Sequence, residues 1–243
     1  MQDPGEKGFH SFRCLLQSCQ EILGLSLQGF IAIFPNTGIL PGGFQFLLQV
    51  CNHSGSGDGF LRQIAALLLL PKTLERVLYL DVDLVVINSL EELYHTDFEG
   101  NYYVACSHVK EILTKINQLR LGVEDVVPYI NTGVMVMNLT ALRDHLTIEQ
   151  IRETARKKMH IFLLPDQDLL TVMHGERIKL VDTMRYNLSD RLLSYHNANP
   201  KNQPLDLKWV RENVVIIHYY GKSKLWKSGY SGVLDAFYHE NTE

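Results

Sequence analysis

Two carboxylates two residues apart, Asp81 and Asp83, directly follow the apolar run Val77-Leu78-Tyr79-Leu80. Such a short run reads as a buried strand, so the pair stands at a strand's carboxyl end, where open α/β sheets bind ligands. Two aspartates so spaced can share one hard divalent cation and leave coordination positions for substrate oxygens, such as those of a diphosphate. They can equally be one turn-capping and one solvated residue. His218 closes a second apolar run, Val214-Val215-Ile216-Ile217, and precedes Tyr219-Tyr220-Gly221-Lys222-Ser223-Lys224. A neutral imidazole there can complete a metal site, or it can be a hydrogen-bonded core histidine. The turn at Gly221 and the ammonium of Lys224 suit phosphate oxygens.

Two further clusters carry polar chemistry. Asp166-Gln167-Asp168 follows Leu163-Leu164-Pro165 at a helix start. An acid, an amide and an acid there can bind sugar hydroxyls and set a carboxylate near a reacting carbon, or simply favour the helix dipole. Asn131-Thr132-Gly133 interrupts a strand pattern with small polar residues, which can present an amide to a ligand or form a β-bulge.

The elements that must position these residues alternate. Strands are predicted at Arg76 to Leu80, Asn101 to Ser107, 129 to 139, Ile178 to Val181 and Val214 to Tyr220. Between them lie an amphipathic stretch from Lys110 to Leu121 and helices opened by capping boxes at Ser89/Glu92 and Thr147/Gln150. Asp166 is expected to cap a helix that Gly175 ends, and another helix is expected at Asp206 to Glu212. Strands alternating with helices imply an α/β fold with a mostly parallel, twisted sheet and helices on both faces.

The first part of the chain differs. From Ile22 to Gly57 there is no Asp, Glu, Lys or Arg, and this stretch contains the breakers Pro35-Asn36-Thr37-Gly38 and Pro41-Gly42-Gly43. A surface helix normally carries charge, so strands near 25 to 34 and 44 to 51 are expected instead, with a helix near 11 to 23 and another at Phe60 to Leu70. His53 to Gly59 reads as a flexible joint. The chain is therefore divided into an atypical N-terminal segment, 1–57, and a main domain, 58–243.

Overall charge narrows the partners. A formal net charge of -4 argues against phosphate-driven nucleic-acid binding. No run reaches the length of a membrane span and no secretory leader is visible. Cys14, Cys19, Cys51 and Cys106 have neither CxxC nor zinc-finger spacing, which favours free thiols in a reducing compartment. A cytoplasmic or membrane-peripheral protein is expected, and its oligomeric state is left open. The sequons at Asn52, Asn138 and Asn187 matter only on a secretory route.

Taken in order, RVLYLDVDLVVINSLEELYHTDF, YINTGVMVMNL, LLPDQDLLTVMHG and HYYGKSKLWK resemble glycosyltransferase family 8 over about residues 60–230. The resemblance implies a GT-A type fold and a retaining hexosyltransferase, moving galactose or glucose from a UDP-sugar to a glycan or lipid-linked acceptor in cell-surface polysaccharide biosynthesis. It implies that Asp81, Asp83 and His218 bind Mn²⁺ or Mg²⁺, and that Gly221 and Lys224 contact the diphosphate. Asn131, Asp166 and Gln167 then face the donor sugar, with Gln167 beneath the anomeric carbon. An amide is a poor nucleophile, so retention is expected by front-face substitution through an oxocarbenium-like state.

The resemblance fails at the start of the chain. Residues 1–57 match no nucleotide-binding strand and helix of the family, which leads to the expectation of an incomplete first half, as in a truncated or frame-shifted chain. Arg62 stands about one position out of register for the arginine expected before the Asp pair, and His108 stands where some relatives carry an acid. The alternative functional reading is therefore a catalytically impaired remnant that keeps only a metal- and sugar-binding surface. A nucleotidyl or phosphoryl transferase would also use carboxylates on a cation, but no P-loop is present.

Overall fold

The computed structural model describes residues 72–81, 83–107, 116–117, 119–123, 127–221, 230 and 232–240, together with the backbone of 30–35 and 44–49. The helices expected at 11 to 23 and 60 to 70 lie outside these residues. So does most of the amphipathic stretch from Lys110 to Leu121.

The sheet is built around a strand that must be covered on both sides. In β3 (Arg76–Asp81), Val77 to Leu80 are all buried, and alternation sends Val77 and Tyr79 to one face and Leu78 and Leu80 to the other. In chain order the strands are β1 (Phe30–Pro35), β2 (Phe44–Gln49), β3, β4 (Leu84–Val86), β5 (Tyr103–Ser107), β6 (Ile130–Asn138), β7 (Ile178–Val181) and β8 (Ile216–His218). Six of them form one sheet in the order β2-β1-β3-β6-β5-β7, and β4 and β8 form a separate two-stranded ribbon.

The directions correct the expectation of a mostly parallel sheet. β1 with β2, β1 with β3, β3 with β6 and β5 with β6 are antiparallel, and only β5 with β7 is parallel. Period-two patterning identifies a strand but carries no direction. Direction is set by the connection, since a parallel pair needs a crossover of a dozen residues or more. The β5/β7 pair has one, because β6 and the helices α2 (Leu139–His145), α3 (Ile148–Lys158) and α4 (Pro165–His174) lie between its strands in sequence.

Both faces are covered, as expected. On one, Val77, Tyr79, Tyr103, Ala105, Met135 and Met137 pack against Leu139, Leu142, Ile151, Leu169 and Leu170 of α2, α3 and α4. On the other, Leu78, Leu80, Val104, Val134 and Val136 pack against Leu93 and Tyr94 of α1 (Glu91–Tyr94), Tyr186 of α5 (Thr183–Tyr186) and the ribbon residues Leu84, Val86 and Ile216. A third core lies beyond the ribbon. There Ile217 and Tyr219 meet Leu193 of α6 (Asp190–Ala198), Val210 of α7 (Leu207–Asn213) and Phe237 of α8 (Asp235–Glu240). The ribbon is thus a shared wall, with Ile216 in one core and Ile217 in the next. Each such buried aliphatic contributes about 1.5–3 kcal/mol.

Capping follows the sequence in part. Thr147 and Gln150 form the reciprocal capping box on α3, and Asp206 caps α7 through the Trp209 N–H at 2.8 Å. Ser89 and Glu92 do not form one. Ser89 Oγ accepts from Glu91 N at 3.2 Å, while the Glu92 carboxylate is drawn to Arg185 at 2.7 Å. Asp166 is not the cap of α4 either, because Pro165 occupies the first turn and Leu164 stands at the cap position. Cys106 is a buried free thiol, and the other cysteines lie outside the described residues.

His174, at the end of α4, is buried with Nδ1 3.2 Å from the Tyr103 hydroxyl. Burial, aided by the nearby His145, pushes its pKa down to about 4. An unfolded chain takes up this proton near pH 6.5 and the folded chain only near pH 4, so His174 lowers stability as pH falls across that window. The expected loss is about 3 kcal/mol, from roughly 1.4 kcal/mol per pKa unit. Urea melts at several pH values should show it, and His174→Leu should be flatter than the wild type between pH 6.5 and 4.

Candidate metal and sugar site

The Asp pair lies where the chain leaves the large sheet for the ribbon. Asp81 is the last residue of β3 and β4 begins at Leu84, so Asp81 and Asp83 flank the crossing point. Ribbon register then brings His218 to them. Leu84 pairs with His218, and the pairing is continued by the Tyr219 N–H, which donates to the Asp83 carbonyl at 2.8 Å. His218 Nε2 stands 3.0 Å from Asp83 Oδ1 and 3.8 Å from Asp81 Oδ2. One ligand atom from each residue lies within 4.8 Å of the others, a geometry that can hold one metal ion.

The three ligands differ in exposure. The His218 side chain is 1% exposed and that of Asp81 38%, so Asp81 is the member that opens to solvent and to a ligand. Burial raises the Asp81 carboxyl to about 6, with the Asp83 and Asp166 charges adding to the rise and His218 and Tyr79 opposing it. Three aspartates near one another favour a cation over an anion. Two carboxylates and one imidazole suit Mn²⁺ or Mg²⁺, and the donor set therefore fits the ion that the resemblance implies.

Around the triad the backbone and side chains are held closely. Tyr79 donates its hydroxyl to Asp81 Oδ1 at 3.0 Å, and burial followed by the Asp81 charge keeps that hydroxyl protonated. Asn187 Oδ1 lies 2.8 Å from His218 Nδ1. Gly133 in β6 passes so near that a Cβ would run into His218 Cε1 and come within 2.7 Å of Asp81 Oδ2. Only a residue without a side chain allows this approach.

The sugar-facing candidates adjoin this centre. Between the pairs Ala105↔Met135 and Cys106↔Asn131 the β5/β6 register shifts, so Thr132 to Val134 bulge from the β5 edge. Of the two readings of Asn131-Thr132-Gly133 the bulge is present, and it sets the buried Asn131 amide beside the triad. Asn131 Oδ1 accepts from the Gly133 N–H at 2.9 Å, and Thr132 Oγ1 lies 3.4 Å from Asp166 Oδ2. Contacts thus run from His218 through Gly133 and Thr132 to Asp166. Gln167 is buried, and its Oε1 has no hydrogen-bond partner among the described residues.

Asp168 has a different task. It is fully buried and accepts from Arg120 at 2.7 and 3.0 Å, from Tyr129 at 2.8 Å and from the Leu163 and Leu164 N–H groups. Burial alone would raise its carboxyl, but the Arg120 guanidinium and the other donors hold it below the usual range. It fastens the loop that presents Asp166 and Gln167. Gly221, three residues past His218, adopts φ 98°, which glycine tolerates, and a Cβ there would meet no atom of the described residues within 4 Å. Lys224 lies outside the described residues.

Sequence reasoning missed Asn187, Tyr79 and Arg120. Asn187 carried a signal of the wrong kind, a sequon, yet it is 1% exposed and turned inward. Asn138, the second such site, caps α2 through the Ala141 N–H.

The fold is shared with solved sugar transferases. The galactosyltransferase LgtC, in complex with donor and acceptor sugar analogues, superposes with a TM-score of 0.58 at 25% identity, over 74% of this chain and 66% of that one. The fold is that of the GT-A glycosyltransferases. The family model of glycosyl transferase family 8 matches residues 47–229, and the chain belongs to that family. A lipopolysaccharide 1,2-glucosyltransferase of Escherichia coli (strain K12) is 27% identical over 167 residues, 68% of this chain and 48% of that protein. A putative glycosyltransferase of Haemophilus influenzae is 27% identical over 158 residues, 64% of this chain and 45% of its own length. The chain spans about half the length of these curated relatives.

Two outcomes follow from the packing. Gly133→Ala should weaken Mn²⁺ binding at least about ten-fold, because His218 or Asp81 must move aside. Titration calorimetry with MnCl₂ measures this, with circular dichroism to verify the fold. Arg120→Met should cost about 3–5 kcal/mol in chemical denaturation, since it leaves a buried carboxylate without its cation.

Proposed function

We propose that the chain is the catalytic part of a metal-dependent, retaining hexosyltransferase that uses a UDP-sugar donor and a glycan or lipid-linked acceptor. The observation that carries this reading is the convergence of Asp81, Asp83 and His218 at the crossing from sheet to ribbon. Membership of the family and likeness to a galactosyltransferase and a glucosyltransferase support a hexose, either galactose or glucose. On this reading residues 58–243 are the catalytic domain and residues 1–57 a distinct segment. The proposed setting is the cytoplasm, at or near a membrane surface, in cell-surface polysaccharide synthesis. No helix among the described residues is long and apolar enough to cross a membrane.

Asp81, Asp83 and His218 hold the Mn²⁺ or Mg²⁺, and the ion when bound offsets charge on the departing diphosphate. Gly221 and Lys224 are assigned to the same diphosphate. Asn131 and Asp166 orient the donor sugar through its hydroxyls. The Oε1 of buried Gln167, unpartnered among the described residues, can accept from a sugar hydroxyl or lie against the partly positive anomeric centre. Because Gln167 is an amide, it stabilises that centre without forming a bond to it. The bond from the anomeric carbon to the diphosphate oxygen breaks and the acceptor oxygen bonds on the same face. Same-face bonding retains the configuration, and the acceptor's proton passes to the departing oxygen.

The test is transfer or hydrolysis of radiolabelled UDP-glucose and UDP-galactose with MnCl₂. Wild type should consume one of them with the anomeric configuration kept, and chelator should stop it. Asp83→Asn should lower the rate by at least about a thousand-fold, as expected when several kcal/mol of leaving-group stabilisation are lost. Metal binding without turnover of any donor would support the impaired-remnant reading instead.

A further inference from the structure

The third side of His218 has no part in the chemistry above. Its Nε2 faces Asp81 and Asp83, and its Nδ1 lies 2.8 Å from Asn187 Oδ1. Asn187 is 1% exposed, and its place is fixed from both directions along the chain. Its own N–H donates to the Thr183 carbonyl, closing α5, while Ser189 caps α6 two residues later. Between them Leu188 pairs with Ile217 of the ribbon. The Leu188 N–H donates to the Ile216 carbonyl at 3.1 Å, and the His218 N–H donates to the Leu188 carbonyl at 2.7 Å. The segment carrying Asn187 is thus laced to the strand carrying His218, and neither side chain can move far from the other.

A neutral imidazole has one N–H and one lone pair, and a metal takes only the lone pair. We propose that Asn187 is a positioning residue that fixes the tautomer of His218. Its carbonyl oxygen accepts from Nδ1–H and so leaves the Nε2 lone pair aimed between Asp81 and Asp83. With the opposite tautomer, Nε2–H would donate to Asp83 and turn a would-be ligand into a lock on a carboxylate. Asn187 therefore separates a metal-competent triad from a closed histidine-aspartate pair built from the same residues. A partner on the second nitrogen also sets ring orientation and ligand basicity. This inference rests on the metal reading of the triad, but its central claim concerns the tautomer and is testable without metal.

The experiment has two arms. Long-range ¹H–¹⁵N correlation spectra of metal-free, ¹⁵N-histidine-labelled protein, recorded where the ring is neutral, read the tautomer of His218 directly. Nδ1–H in wild type and in Asn187→Asp, which keeps an acceptor, is the expected result. Nε2–H in wild type overturns the inference whatever the variants do. In the second arm, MnCl₂ titration of Asn187→Leu should show a ten- to hundred-fold weaker dissociation constant, with Asn187→Asp restoring most of it. Equal Mn²⁺ affinity in a folded Asn187→Leu also overturns it. If wild type shows the Nδ1–H tautomer but binds no Mn²⁺, the metal reading fails while the tautomer assignment stands.

Discussion

The constraint on which this structure depends is electrostatic: Asp81 and Asp83 are held near one another and near Asp166, at a place where burial already penalises charge. Burial is the largest influence on Asp81, and its carboxyl rises to about 6 in the absence of an ion. Without relief such a cluster opposes folding. A divalent cation offers relief, because it converts mutual repulsion into shared coordination. The protein accepts this cost at one end of its central strand and spends packing elsewhere to hold the cluster in place.

That packing has a definite logic. The ribbon of β4 and β8 is short, yet it is walled by two cores, one against the sheet and one against α6, α7 and α8. A free two-stranded ribbon of this length would be marginal. Covered on both sides it becomes a fixed register, and that register makes Asp83 and His218 neighbours. The β6 bulge performs the same service from the other side. By leaving the β5 ladder for three residues, it lets the Gly133 backbone close over the triad and carries Asn131 and Thr132 towards Asp166. Asp168 adds the last brace, trading one buried carboxylate and one guanidinium for a fixed approach of Asp166 and Gln167.

How much of this could be read in the sequence depended on the range of the interaction. Asp81, Asp83 and His218 were legible because each ends an apolar run, so strand position alone places them. The Thr147/Gln150 box was legible because its two partners are three residues apart. The Ser89/Glu92 box was not, since Arg185, far along the chain, competes for the Glu92 carboxylate. Strand direction was illegible for a related reason: a strand has the same alternation read either way, and only the tertiary path decides. Asn187 and Arg120 escaped because their roles are defined by groups more than thirty residues away, on elements whose relative placement no local pattern encodes.

The antiparallel entry of β1 decides which end of that strand reaches the triad. The edge of β3 away from β6 is covered by β1, whose backbone pairs Phe30 with Asp81 and Ile33 with Leu78. In an antiparallel pair the beginning of one strand lies beside the end of its neighbour. The first residues of β1 are therefore brought to the metal end of β3, and its later residues are carried away from it. A parallel strand in the same place would present its own carboxyl end, as the usual ligand edge of an α/β sheet does. The charge-poor segment thus brings the start of β1, rather than its carboxyl end, beside Asp81. On the side facing the large sheet, the immediate surroundings of the triad among the described residues are set by β3, the β6 bulge and the start of α4.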